Sequence, residues 1–415
     1  MNNTVKHSTP APTGAVVPLA PRPRPRDAGA WYAEPVAGIP FLLRNLIVLQ
    51  RAGAKRLIVY ADPQNLPSPG ADRLRHGIEN DPRLTVPLHW ATGPAELAPL
   101  LEGTGFWLIA ASGALHKKTD IEQAFEKAQP SSGAGQPGQP DPDRIVQKVL
   151  FMARGEGEAA PEDGGSGPGY TVLLQGDPEF RIGDRHDFAR LGDRLLRSSG
   201  LSNDSFMDRW VTRYFSQFLT RVFLLTPLTP NQITFISLVM GLASAVLFFQ
   251  GGYTMMLAGA ILLQLSAWVD CTDGEIARLR FQESPFGGEL DIIADNIVHF
   301  AVFFGIGMGL YFETGNWIYK ALGGAAVFGS MVCFGIISAR VIENKKAAGQ
   351  GISRTGTDAP QDPSLVDDLA NRDFTYLLLF LAAIGHTWIF ITLTGIGSNI
   401  FALLLILQRH RARRE

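Results

Sequence analysis

Four stretches in the second half of the chain run for close to twenty residues with hardly a charge among them. They are Asn231–Gln250, Tyr253–Val269, Asn296–Phe312 and Trp317–Ala339. A helix of that length matches the roughly 30 Å hydrocarbon core of a bilayer, and a helix satisfies its own backbone polar groups there. A further apolar block, Phe374–Leu407, is about twice that length and is broken by Gly385-His386-Thr387, so it reads as two helices. The pattern predicts six membrane spans.

Whole-chain composition hides this division. The 415 residues are 46% hydrophobic and 18% charged with a net charge of -2, which would suit an ordinary soluble protein. The figures average an apolar second half with a first half rich in Pro, Gly, Asp and Arg. Two cysteines, Cys271 and Cys333, exclude a disulfide framework, a zinc ribbon and an iron–sulfur site. A net charge near zero argues against a nucleic-acid partner.

Charge in the loops predicts orientation. The turns at Gly251-Gly252, Glu313–Asn316 and Gly385–Thr387 hold no Lys or Arg, whereas Arg278, Arg280, Arg340, Lys345, Lys346, Arg354, Arg372 and the tail 409–415 fall on the other side. Basic loops stay in the cytoplasm, so both termini and the first half are expected there, in a prokaryotic inner (plasma) membrane. Met1–Gly14 has no apolar core, and no secretory signal peptide is expected in it.

Ahead of the first span, Ser205–Leu225 places Phe206, Trp210, Tyr214 and Phe218 at helical spacing, with Arg209, Arg213 and Arg221 among them. A basic amphipathic helix with aromatics suits the headgroup layer, and packing against the soluble half is the other use of such a face. Pro227 and Pro230 end it, leaving Thr229-Pro230-Asn231 at the start of the first span.

The residues most informative about chemistry lie where the second span ends and the third begins: Asp270-Cys271-Thr272-Asp273-Gly274-Glu275-Ile276-Ala277-Arg278, eight residues, then Gly287, Asp291 and Asp295. Helix positions three or four apart share a face, so Asp270 pairs with Asp273 and Asp291 with Asp295. A short turn makes the two helices antiparallel neighbours, and four carboxylates can converge. Ionisable groups in spans are costly and mark function, and hard divalent cations are their natural partners. Gly274, Ala277 and Gly287 leave room for a bulky ligand against the backbone, while Arg278 offers a planar donor fork for phosphate. These residues predict metal-assisted chemistry on a phosphorylated substrate.

The arrangement D-x2-D-G-x2-A-R-x8-G-x3-D-x3-D resembles the signature of the CDP-alcohol phosphotransferases, with every fixed position filled. The resemblance extends over about Leu201 to Leu407. It implies transfer of a phospho-alcohol group from a CDP-linked donor to an acceptor hydroxyl, with release of CMP. It also implies a six-helix α-helical membrane domain, an interfacial helix and a homodimer. Carried over by position, Asp270, Asp273, Asp291 and Asp295 would hold Mg2+ or Mn2+, two ions, and Asp295 would take the proton of the attacking hydroxyl. Thr229, Pro230, Asn231, Asp270, Asp273, Gly274, Ala277, Arg278 and Gly287 would border the CDP moiety. Arg340, Arg354 and Arg372 are acceptor-site candidates, and equally serve the positive-inside pattern. His299, one turn after Asp295, would orient it or serve as a structural histidine.

Other readings use the same acids differently. Membrane prenyltransferases place two acidic motifs far apart in the chain, whereas a single cluster is present here. A transporter would set its acids near the middle of spans rather than at their ends. Interfacial charges paired with Arg278 and Arg280 would explain the acids without the full motif.

The first half reads as a cytoplasmic α/β, Rossmann-like domain, with a helix at Pro40–Ala52 and strands at Leu57–Ala61, Thr85–Leu88, Phe106–Ala111 and Tyr170–Leu174. Gln129–Asp143 and Gly155–Gly169 are expected to be loops, and Arg144–Ala153 a strand or short helix. Glu34-Pro35-Val36-Ala37-Gly38-Ile39-Pro40, with Leu42-Leu43-Arg44-Asn45-Leu46 and Ala52-Gly53, resembles a sugar-phosphate nucleotidyltransferase. Its phosphate loop is lost in Val16–Pro23, which has no glycine. The lysine of its next motif is Glu34, and Ser112 and Gly113 follow the strand that should lead to an aspartate. A domain without its own activity is therefore expected, the alternative being a bifunctional enzyme that also makes the CDP-alcohol. The expected organisation is a disordered 1–28, an α/β domain over 29–200, an interfacial segment over 201–230, a membrane domain over 231–408 and a basic tail over 409–415.

Overall fold

A computed structural model describes residues 14–20, 28–66, 68–102, 107–121, 142–154, 171–198, 211–347 and 374–412. The chain forms two compact units, Met1–Leu195 and Leu196–Glu415.

The first unit is built on a five-stranded sheet. Its elements are β1 (Gly14–Pro18), α1 (Ala28–Ala33), β2 (Pro35–Val36), β3 (Ile39–Pro40), α2 (Phe41–Arg51), β4 (Leu57–Tyr60), α3 (Ser68–Glu79), β5 (Leu88–Ala91), α4 (Pro94–Leu100), β6 (Trp107–Ala110), α5 (Pro142–Ala153), β7 (Thr171–Leu174) and α6 (His186–Ser198). Strand order is β5-β4-β1-β6-β7, and every pairing in this sheet is parallel. β2 and β3 form a separate two-residue antiparallel pair. Parallel strands buried on both faces read as continuous apolar runs, and β1, β4 and β6 are buried throughout.

Two expectations are corrected here. Gly14–Pro18, expected within a disordered start, is the central strand, because Ala15-Val16-Val17 is buried between β4 and β6. The strand expected at Thr85–Leu88 lies three residues later, where Leu57 aligns with Leu88 and Tyr60 with Ala91. The undecided segment Arg144–Ala153 is helical, and its Ile145, Val149 and Met152 join the core under Ile58, Trp107 and Ile109.

The second unit is helical. α7 (Arg213–Leu224) precedes α8 (Pro230–Gln250), α9 (Tyr253–Leu279), α10 (Pro285–Thr314), α11 (Trp317–Ala347), α12 (Phe374–Ala383) and α13 (Thr387–Ala412). Five of these, α8 to α11 and α13, contain segments long and apolar enough to cross a membrane. The block after residue 373 does divide at Gly385, but α12 holds only ten described residues, about 15 Å of helix. Of the expected interfacial helix, residues 205–210 lie outside the described residues.

Without a hydrophobic force between helices in lipid, close packing depends on small residues. Gly309 on α10 shows this: a Cβ there would lie 2.1 Å from the Phe248 carbonyl oxygen of α8. That contact, together with Val302, Ile306, Phe248 and Ala245, seats α8 against α10. α9 packs on α8 as well, so the carboxylate-bearing ends of α9 and α10 are held on one scaffold.

Candidate active site

The acids belong to helices longer than the apolar spans. α9 continues past Val269 to Leu279, and α10 starts at Pro285, eleven residues before the apolar run begins at Asn296. Ser284 caps α10, its hydroxyl accepting from Gly287 N at 2.9 Å with Pro285 at the first helical position.

Asp270 from α9 and Asp291 and Asp295 from α10 offer carboxylate oxygens that all lie within 4.8 Å of one another. Like charges at that separation repel by roughly 3 kcal/mol per pair at an effective dielectric near 20. Three hard oxygen donors without sulfur or imidazole fit a divalent cation of the magnesium or manganese kind.

Asp273, expected to join them, is tied to α8 instead. Its Oδ2 accepts a hydrogen bond from Thr234 Oγ1 of α8, and it is not part of the three-acid group. One turn along α8, Ser237 Oγ donates to Asp270 Oδ1 at 3.0 Å. Ser266 Oγ in turn donates to the Ser237 carbonyl at 2.7 Å. Asp270 and Asp273 are both buried. Thr234 and Ser237 were not singled out from sequence, although their spacing of three and four residues with Gly241 and Ser244 marks a stripe of small residues along an otherwise apolar span.

Several residues expected around a nucleotide also meet. Thr229 is the N-cap of α8 in a capping box with Gln232, its backbone N–H donating to Gln232 Oε1 at 3.0 Å, and Pro230 opens the helix. Asn231 reaches α10, where a Cβ on Gly287 would sit 3.0 Å from its Oδ1. The Arg278 guanidinium folds back over Gly274, with Nη1 3.2 Å from where a Cβ would stand. Ala277 lies on the same helix, half-buried.

Beside Asp270 and Asp295 a cleft opens that Ser237, Ser266, His299 and Thr375 also line. The His299 ring is stacked on Phe303 and meets Phe374 edge-on at 5.0 Å. Arg340 falls on α11, while Arg354 and Arg372 lie outside the described residues.

In the α/β unit, the place to look is the crevice where strand order reverses, at the carboxyl ends of β1 and β6. There Ala20 N donates to Ser112 Oγ at 3.0 Å, and Tyr32 OH donates to the Ala20 carbonyl at 2.9 Å. The Tyr32 and Ser112 hydroxyls stand 3.1 Å apart. Arg44 donates to the Val36 carbonyl through Nη2 at 3.0 Å, and burial lowers its guanidinium to about 9. Beyond Ser112, His116 is buried with Nε2 2.9 Å from the Ala111 carbonyl, and burial holds its pKa below the usual imidazole range.

Comparison with known proteins adds the following. Residues 227–407 match the model of the CDP-alcohol phosphatidyltransferase family. A bifunctional IPC transferase and DIPP synthase of Aquifex aeolicus is 34% identical over 131 residues, 31% of this chain and 28% of that protein. A protein of the same description from Archaeoglobus fulgidus is 30% identical over 233 residues, 54% of this chain and 44% of that one. The chain thus spans less than half the length of either relative. A crystal structure of Mycobacterium tuberculosis phosphatidylinositol phosphate synthase with CDP-DAG bound covers 47% of this chain and 92% of that one, at 21% identity and a TM-score of 0.36.

Proposed function

We propose that this protein, whose residues 227–407 match the model of the CDP-alcohol phosphatidyltransferase family, is an integral membrane enzyme moving a phospho-alcohol group from a CDP-linked donor to an acceptor alcohol, with release of CMP. The meeting of Asp270, Asp291 and Asp295 at one point, inside the full motif, carries this reading.

In the reaction, the acceptor hydroxyl oxygen attacks the phosphorus that carries the donor alcohol, and the bond from that phosphorus to the CMP oxygen breaks. Asp295 takes the proton of the hydroxyl. Asp270 and Asp291 would hold divalent ions, Mg2+ or Mn2+, with Asp273, steadied by Thr234, as a further ligand. Such ions, two in number, would supply charge stabilisation to the diphosphate and to departing CMP. Thr229, Pro230, Asn231, Gly274, Ala277, Arg278 and Gly287 border the nucleotide, and Arg340, Arg354 and Arg372 serve the acceptor.

Membrane contact fits the exposed stripe of α7, where Tyr214 is 74%, Phe218 59% and Val222 46% accessible. A homodimer, cytoplasmic termini and an inner-membrane location complete the reading. The names of the relatives make inositol and its phosphates the first acceptors and donor alcohols to test, within phospholipid or inositol-phosphodiester synthesis.

For the α/β unit we propose no nucleotidyl transfer of its own. Its own Ser112 and Tyr32 bridge the crevice that a nucleotide would enter. The second reading, a bifunctional enzyme, has the relatives' descriptions in its favour. Purified protein in lipid nanodiscs, given CDP-diacylglycerol or CDP-inositol with inositol phosphate, inositol, glycerol phosphate or serine, should release CMP only with divalent metal. Absence of CMP from every pairing overturns the transferase reading. Pyrophosphate released from CTP and inositol phosphate overturns the inactive-domain reading and establishes the bifunctional one.

A further inference from the structure

α7 packs through Leu219, Phe223 and Leu224 against Ile233, Val269 and Ile276, and polar groups tie it to the catalytic helix besides. Thr212, Ser216 and Thr220 recur every four residues along its inner face, and all three are buried. Ser216 Oγ donates to one oxygen of Glu275 at 2.8 Å, and Thr220 Oγ1 donates to the other at 2.6 Å. Glu275 is itself buried on α9, at an unspecified position of the acidic motif, five residues past Asp270 and two past Asp273. Thr212 Oγ1 lies 2.8 Å from the Tyr376 hydroxyl, which accepts from Trp268 Nε1 at 3.1 Å. Phe215 stacks on the Trp268 indole with centroids 3.9 Å apart and planes 6° apart.

The far end of α7 is gripped by the same helix. Arg280 Nη1 donates to the Leu228 carbonyl at 2.9 Å, and Nη2 to the carbonyls of Leu224 at 3.1 Å and Thr226 at 3.0 Å. Carbonyls at and just beyond a helix C-terminus need partners, and a cation there also opposes the helix dipole. The segment held in this way runs directly into Thr229, Pro230 and Asn231, and Asn231 is the residue that abuts Gly287. Burying a carboxylate costs several kcal/mol unless it is fully hydrogen-bonded. That expense brings no advantage if α7 is only an apolar strap, whereas hydrogen bonds to both oxygens fix the height of α7 along α9.

Resting on the transferase reading, we infer that Glu275 and Arg280 are positioning residues. They clamp α7 and the turn after it to the carboxylate-bearing helix, and so set where Thr229–Asn231 stand against Gly287 on the nucleotide side of the site. Loss of the clamp displaces a binding surface and leaves the acids in place, so it weakens donor binding rather than turnover.

The test uses full-length protein in nanodiscs, with CDP as the probe in the presence of Mn2+ and CMP release as the assay. Glu275→Ala and Arg280→Ala should each raise the Kd for CDP and the donor KM by about tenfold, with kcat within about threefold of wild type. Glu275→Gln keeps one acceptor and can donate to the other hydroxyl, and should recover to within about threefold. Thr220→Val, which keeps the shape and removes one hydroxyl, should raise KM by about threefold, and it serves if an alanine variant fails to fold. The inference is overturned if folded variants bind CDP as wild type does, if kcat falls with KM unmoved, or if Glu275→Gln is as weak as Glu275→Ala. Wild-type protein that binds no CDP overturns the transferase reading instead.

Discussion

Ser237 of α8 donates its hydroxyl to Oδ1 of Asp270 on α9 at 3.0 Å, tying the first span to the carboxylate group through a bond that neither helix makes alone. A hydrogen bond to a charged acceptor contributes about 1.5–3 kcal/mol, and each 1.4 kcal/mol is a factor of ten in rate or affinity. Ser237→Ala should therefore lower kcat/KM about tenfold or more, with the helices still inserted. The measurement is CMP release against unchanged size-exclusion behaviour in detergent. Wild-type kcat/KM in that variant would show that Asp270 is held by other contacts.

Asp291→Asn and Asp295→Asn keep the size of the side chain and remove the charge. Each should cut CMP release by at least about a thousandfold, while the protein still folds and inserts. The two need not fail alike. Asp295 is assigned the proton, so Asp295→Asn should retain donor binding in the presence of metal. Asp291→Asn should weaken metal binding as well. Near-wild-type turnover in either variant contradicts these assignments.

Chelation should abolish turnover, and Mg2+ or Mn2+ should restore it, because the three convergent donors are carboxylate oxygens alone. Binding of Mn2+ followed by electron paramagnetic resonance gives a readout that needs no substrate. Its affinity should fall about tenfold or more in Asp270→Asn and in Asp291→Asn. Full activity in metal-free buffer contradicts the proposal.

The nearness of Asp270, Asp291 and Asp295 could be read in advance because charge is rare in a span and the helical repeat places i and i+4 together, whereas Asp273, expected with them, bonds Thr234 and is outside that group. Their supports could not. Thr234 and Ser237 look like ordinary small residues of a membrane helix, and only the packing of α8 on α9 turns their hydroxyls toward Asp273 and Asp270. Glu275 stood in plain view, but its partners lie 55 and 59 residues away on α7, beyond any local pattern. In the α/β unit, the apolar runs at Leu57 and Trp107 were long enough to read as strands. β1 was hidden by its proline-rich surroundings, and its place in the sheet depends on neighbours at Leu57–Tyr60 and Trp107–Ile109.

His116 predicts how the α/β unit responds to acid. The ring is buried, Nε2 bonds the Ala111 carbonyl at 2.9 Å, and Nδ1 is a buried atom that takes no hydrogen bond. A proton on Nδ1 would place a charge where water cannot reach it, so burial depresses the folded-state pKa below the ordinary imidazole value of about 6.5. The unfolded chain takes up that proton first as pH falls, so the unfolded state gains relative to the folded one. Stability associated with neutral His116 is present above about pH 6.5 and is lost as pH drops from there toward the depressed folded-state value. Full-length protein should show a melting transition of this unit that falls between about pH 7.5 and pH 5.5. His116→Gln keeps a donor for the Ala111 carbonyl and cannot titrate, so its transition should move less over the same interval. Equal slopes for the two proteins would mean that other groups carry the acid response and that His116 takes up no proton on unfolding.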